Sequence, residues 1–126
     1  MKIYFAFICL VLVMLSSNVS ANDVYGAIAL SKSTANFGYS REQPSRQAAE
    51  RLAVLECENV KNQHPGDCRP LIWFENNTCG AIAFNSRGDF GTGYGIGHDA
   101  AHRAALKSCN AVGHAGCRVH KSICPR

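Results

Sequence analysis

The amino-acid sequence predicts an α+β domain made of two tandem ββαβ repeats, with strands in antiparallel sheet, two helices and a disulfide framework. Three observations carry that expectation. Blocks of residues recur in the same order along the chain, two segments share one helical spacing of small apolar residues, and cysteines fall at matching places in the two copies.

A chain of 126 residues suits one domain and is too short for two ordinary ones. It opens with Met1-Lys2, an apolar run of 13 residues from Ile3 to Leu15, and Ser16-Ser17-Asn18-Val19-Ser20-Ala21. A positive start, a short apolar stretch and a small-residue cleavage site read as a secretory signal peptide over residues 1–21. The run falls short of the roughly 20 residues a membrane span needs. The mature chain is therefore expected to be residues 22–126, with repeats over about 24–76 and 78–125.

Tyr25-Gly26-Ala27-Ile28-Ala29 recurs as Cys79-Gly80-Ala81-Ile82-Ala83, and Asp67-Cys68-Arg69 as Gly116-Cys117-Arg118. Between them, Ala48 to Cys57 recurs as Ala100 to Cys109. The offset drifts from 54 to 52 to 49, which places the shortening in loops. Self-similarity of this kind marks a duplication. Each copy starts with an apolar strand, Tyr25 to Ser31 or Cys79 to Asn85. Polar turn residues follow, then a returning strand, Asn36 to Ser40 or Phe90 to Ile96.

Ala49, Leu52, Ala53, Cys57 and Val60 lie at i, i+3, i+4, i+8 and i+11, one face of a helix, and Ala101, Ala104, Ala105, Cys109 and Val112 repeat the spacing. Ser45 is the expected N-cap of the first helix, since its hydroxyl can accept from an unpaired backbone N–H. Loops with Gly or Pro end each helix, and closing strands run from Cys68 to Phe74 and from Cys117 to Cys124. The helices are expected to cover one side of the sheet.

Removing the leader takes Cys9 away and leaves six cysteines, an even number that implies bridges in a short exported chain. No Cys-x-x-Cys pair occurs, which argues against the common zinc arrangements. Six cysteines allow fifteen pairings. Cys57 and Cys68 hold the repeat positions of Cys109 and Cys117, so local bridges Cys57–Cys68 and Cys109–Cys117 would each pin a helix to its following strand. Cys79 and Cys124 are left, at strand ends of the second copy, for a Cys79–Cys124 closure.

The Tyr-Gly-Ala-Ile-Ala opening, the helix Ala-Ala-Glu-Arg-Leu-Ala-Val-Leu-Glu-Cys, the strand Asp-Cys-Arg-Pro-Leu-Ile-Trp-Phe and the later Cys-Gly-Ala-Ile-Ala resemble the family called domain of unknown function 4189. The resemblance runs from about Val24 to Cys124. It implies a two-repeat ββαβ fold and an exported bacterial protein, and brings no activity and no catalytic residues.

Features that could carry chemistry each have a plainer reading beside them. Phe90-Gly91-Thr92-Gly93-Tyr94-Gly95-Ile96-Gly97 could offer backbone N–H groups to an anion, but it matches neither the dinucleotide fingerprint nor a P-loop. Glycine at every second position leaves one strand face bare, which suits close packing on the Ala-faced second helix. His98 and His102, four apart on that helix, are the candidate metal ligands, with His114 and His120 nearby in sequence. The plainer reading is a solvated helix start. No Gly-x-Ser-x-Gly turn is present, Glu56 and Glu58 are expected on a solvated face, and Trp73 and Phe74 are expected in the core.

Residues 22–78 carry six Lys or Arg against seven Asp or Glu, and residues 79–126 carry six against two. An electropositive second half could favour an anionic partner, although ordinary surface charge explains it as well. The leading expectation is an exported, non-enzymatic interaction protein that binds or neutralises another extracytoplasmic protein, in the periplasm or the medium. No cofactor, membrane span or nucleic-acid partner is expected, and the oligomeric state is open. The alternative is a small secreted effector or hydrolase using the second-repeat histidines, with or without metal.

Overall fold

The computed structural model describes residues 22–126, so the signal-peptide reading of residues 1–21, with Cys9, lies outside the described residues. Strands β1 (Tyr25–Leu30) and β2 (Phe37–Gln43), helix α1 (Arg46–Asn59) and strand β3 (Arg69–Glu75) form the first repeat. Strands β4 (Thr78–Phe84) and β5 (Phe90–Ile96), helix α2 (Gly97–Asn110) and strand β6 (Arg118–Ile123) form the second. Each repeat makes its own three-stranded antiparallel sheet with its first strand in the middle, β2-β1-β3 and β5-β4-β6.

Alternation along the central strands explains how the layers stack. Ala27 and Ala29 point to one face and pack on Ala49, Ala53 and Cys57 of α1, while Ile28 and Leu30 point to the other. Ala81 and Ala83 meet Ala101, Ala105 and Cys109 of α2 in the same way. The large side chains Ile28, Leu30, Phe74, Ile82, Phe84 and Ile123 form one core between the two sheets. The result is four layers, α1, first sheet, second sheet and α2, with each sheet covered on one side by its own helix. Large buried side chains hold the sheets together, each contributing roughly 1.5–3 kcal/mol. Alanine and glycine let the helices lie close.

That closeness is severe on β5. A methyl group on Gly91 would stand 2.1 Å from the Cys109 nitrogen, and one on Gly93 would stand 2.4 Å from Cβ of Ala104. The Gly-rich segment is a strand packed on α2, not a loop around a ligand. Gly26 and Gly80 make room at opposite edges of one ring, Phe74, with an added Cβ falling 2.3 Å from Cε2 and from Cε1 respectively. Phe74 is buried and Trp73 half-buried, with the Arg46 guanidinium 4.8 Å above the indole.

Three disulfides join Cys57 to Cys68, Cys79 to Cys124 and Cys109 to Cys117. Ser45 caps α1, its Oγ accepting from the Ala48 N–H at 3.1 Å. Some local expectations change. Strand β2 runs on to Gln43, because a bulge between the Ala27↔Ser40 and Tyr25↔Gln43 pairs lets the pairing resume. Helix α2 stops at Asn110, so Val112 lies past its end and is 56% exposed instead of continuing the buried face. Glu58 is not simply solvated. Its carboxylate accepts from the backbone N–H groups of Gly66 and Cys68, at 2.8 and 3.1 Å, and so shapes the loop that leads to β3.

The polar turns are tied down by a parallel device in each copy. In the first, the Asp67 carboxylate accepts from the Ser31 hydroxyl at 2.5 Å and the Ser33 N–H at 3.1 Å. The Ser31 hydrogen bond, outweighing the opposing effect of burial, holds the Asp67 carboxyl below its ordinary range. In the second, Asp89 takes bonds from Asn85 and His114, both at 2.8 Å, and is lowered first by Asn85 and also by His114.

Candidate functional site

Antiparallel pairing brings the end of β5 beside the start of β4, with Cys79 opposite Gly95 and Thr78 opposite Ile96. Helix α2 begins at once, at Gly97 with φ +82°, a conformation that favours glycine. Its second residue, His98, is thereby laid against the end of β6. The His98 Nδ1 lies 2.6 Å from the Ser122 Oγ, and Nε2 lies 3.3 Å from the Cys124 Sγ. A disulfide sulfur carries no proton, so Nε2–H donates to it as a weak acceptor, and in the neutral ring Nδ1 then accepts from the Ser122 hydroxyl.

A shallow pocket of about 230 Å³ opens beside this contact, lined by Tyr39 and Arg41 of β2, His98, Lys121 to Cys124, and Arg126. It spans the two repeats. The Glu42 N–H, which donates to the Pro125 carbonyl at 2.8 Å, ties β2 to the segment after β6. The Lys121 ammonium sits 4.7 Å above the Tyr39 ring, and the Arg126 guanidinium donates to the Asn22 carbonyl. Arg41 faces Glu42 at 3.6 Å, but both side chains are more than half exposed and solvent screens the pair. Among the described residues, no carboxylate side chain lines the pocket. Three cations and an imidazole therefore share one small concavity.

The family model described as domain of unknown function, DUF4189, matches residues 25–124. The chain belongs to the DUF4189 family. It is 43% identical over 68 residues to Protein Mb1300c of Mycobacterium bovis and to Protein Rv1269c of Mycobacterium tuberculosis. That stretch covers 54% of this chain and 48% of each relative, so the match spans about half the length of these curated proteins. The fold is similar to the NMR structure of Rv1813c from Mycobacterium tuberculosis, with a TM-score of 0.51 and 26% identity over 80% of this chain and 74% of that one.

Within this DUF4189 domain the four second-repeat histidines do not gather. His98 and His102 are neighbours, their ring centroids 6.2 Å apart, but the nitrogens of His98 are turned to Ser122 of β6 and to Cys124 just past it. His114 bonds Asp89, and His120 packs edge-on against Phe84 at 5.1 Å. Among the described residues, the atoms that do converge are those of Cys79, His98 and Cys124, all within 4.8 Å of one another. Two of them are joined as a disulfide, and a bonded sulfur offers no thiolate to a metal. Among the described residues, no helix is long and apolar enough to cross a membrane.

Tyr39, Arg41, Lys121, Ser122 and Arg126 were not singled out from the sequence as site residues. The signal for the inner part was present in the repeat. Once the Gly-rich strand pairs back on Cys79 to Ala83, the residue opening the next helix must reach the Cys79 end. The contribution of β2 had no such signal, because it depends on how the two sheets face each other.

Proposed function

We propose that this chain is an exported, non-enzymatic binding protein that holds an acidic segment of an extracytoplasmic partner protein in the pocket between β2 and β6. One observation carries the reading: the cations Arg41, Lys121 and Arg126 converge on one pocket whose lining holds no carboxylate side chain. Like charges brought together raise the local potential, which favours capture of an anionic group. The disulfides and the two-sheet core give that surface a fixed shape, lowering the ordering cost of association. Export rests on the leader-like residues 1–21 and is compatible with the disulfides.

The test uses oxidised residues 22–126 as bait against the extracytoplasmic fraction of the source bacterium. The expected result is a stoichiometric protein complex that weakens with salt, survives His98→Ala with His102→Ala, and is lost in Arg41→Glu with Lys121→Glu. Capture unchanged by the charge reversal would overturn the reading.

The Ser122–His98 contact favours a second reading, hydrolysis, because a hydroxyl bonded to an imidazole is the start of an activated nucleophile. The other imidazole nitrogen meets a sulfur instead of a carboxylate, so no anionic group holds the ring or stabilises its cation. Hydrolysis of an activated ester that disappears in both Ser122→Ala and His98→Ala would establish it.

A further inference from the structure

The three bridges sit in different chemical surroundings. Cys57 and Cys68 are both buried, at 0% and 1% exposure, and the Cys57 sulfur lies 3.4 Å from the Asn36 carbonyl oxygen. Cys109 is likewise buried, with its sulfur 3.7 Å from the Asp89 carbonyl oxygen, and its partner Cys117 is partly exposed. A carbonyl oxygen disfavours a thiolate beside it. Cys79–Cys124 also joins a buried sulfur to a partly exposed one, but Cys124 alone lies in the cationic pocket, with the His98 ring nitrogen 3.3 Å from its sulfur. An N–H donor aimed at the sulfur and nearby cations favour a thiolate and speed its departure as a leaving group.

The strands that this bridge joins are also held without it. In the first repeat the corresponding ladder end pairs Tyr25 with Glu75, without a covalent link. Strands β4 and β6 are held in the same way by pairing from Gly80↔Ile123 to Phe84↔Arg118. Opening Cys79–Cys124 leaves that ladder, the inter-sheet core and the other two bridges in place.

We propose that Cys79–Cys124 is a thiol-exchange site, with Cys124 the sulfur that meets an external thiol bearing carboxylates. The external thiolate attacks the Cys124 sulfur and forms a mixed disulfide. The Cys79–Cys124 bond breaks, and its electron pair goes to Cys79, which takes a proton from solvent. A second external thiolate attacks the external sulfur of the mixed disulfide, and Cys124 leaves as a thiolate beside His98. The external thiols are oxidised to one disulfide and the protein pair is reduced to a dithiol. Exchange shares its pocket with the binding function proposed above, but it depends on the sulfur and the imidazole and not on a protein partner.

The experiment follows reduction of the native, oxidised protein by dithiothreitol, a neutral dithiol, and by glutathione and cysteamine. Samples are quenched with acid, alkylated and mapped by mass spectrometry. Cys79 and Cys124 should become alkylated about tenfold faster than the other four cysteines, and His98→Ala should slow that step several-fold. Glutathione should outrun cysteamine at matched thiolate concentration, and Arg41→Glu with Lys121→Glu should erase the preference. Equal rates for the three bridges, or no effect of His98→Ala with dithiothreitol, would overturn exchange. Neither result touches the binding function, which stands or falls on capture. Circular dichroism of Cys79→Ser with Cys124→Ser should match the parent, and an unfolded spectrum would also count against a reversible site.

Discussion

Replacing Gly80 by alanine tests whether one aromatic ring sets the spacing of the two sheets. The added Cβ would stand 2.3 Å from Cε1 and 2.4 Å from Cδ1 of Phe74. Carbon atoms prefer about 3.5–4.0 Å, so the ring must move by more than about 1 Å. It has little room to do so, because its opposite edge lies over Gly26, where a Cβ would be 2.3 Å from Cε2. Overpacking ordinarily costs about 1–3 kcal/mol, and a ring held at both edges places Gly80→Ala near 3 kcal/mol. Phe74→Leu shortens the side chain and creates the missing space, so Gly80→Ala in that background should cost under about 1 kcal/mol. The coupling is then about 2 kcal/mol, a large value for residues in contact. Urea unfolding followed by fluorescence of the single tryptophan, Trp73, reads all four corners of the cycle. An equal cost of Gly80→Ala in both backgrounds would refute the idea that Phe74 fills this space.

Gly93→Ala should destabilise by about 2 kcal/mol in the same assay, since its Cβ would fall 2.4 Å from Cβ of Ala104; unchanged stability would mean that β5 does not pack tightly on α2. Asp67→Asn should lower stability most above pH 4 and least in acid. The folded carboxyl titrates below its unfolded value, so its contribution is present above the unfolded pKa near 4 and is lost as pH falls through the folded one. Urea midpoints from pH 2 to 7 measure this, and a gap that stays constant with pH would contradict it. Tyr25→Cys with Glu75→Cys should form a fourth bridge, visible in the unreduced intact mass and stabilising by about 4 kcal/mol at most. That bridge should open more slowly than Cys79–Cys124, as neither Tyr25 nor Glu75 lines the pocket that holds His98.

The readable part of the sequence is the part that repeats. Ala49, Ala53 and Cys57 on α1 and Ala101, Ala105 and Cys109 on α2 announce two helices with one small-residue face, and those are the residues buried on each helix. The strands follow, because Ala27-Ile28-Ala29-Leu30 alternates small and large and so declares two different neighbours, a close helix and a facing sheet. What the pattern does not state is which surfaces the two copies turn toward each other. Phe74 reaching Gly80 and Lys121 reaching Tyr39 both depend on that docking. Side chains such as Arg41 and Lys121 look like ordinary solubilising charge along the chain, and only the tertiary arrangement gathers them.

Comparing equivalent positions in the two copies shows where function can enter. Trp73 pairs with Ala27 in the first sheet, and Ser122 pairs with Ala81 in the second, so the two occupy one repeat position. Each is approached from the start of its helix, Trp73 by Arg46 and Ser122 by His98. In the first copy that seat holds a guanidinium stacked on an indole, which covers the sheet edge. In the second the indole is replaced by a hydroxymethyl group, and most of the side-chain volume there is gone. The pocket opens along this edge strand, with Ser122 and His98 in its wall and Tyr39 and Arg41 of β2 completing it. Two residues further along, Glu75 of the first copy gives way to Cys124. The substitutions thus cluster at one end of one sheet, while the helix–sheet packing is kept in both copies. A duplicated fold can tolerate this. The first repeat and the shared inter-sheet core hold the domain together, leaving the end of the second free to expose a sulfur, an imidazole and a set of cations that a single copy would have had to cover.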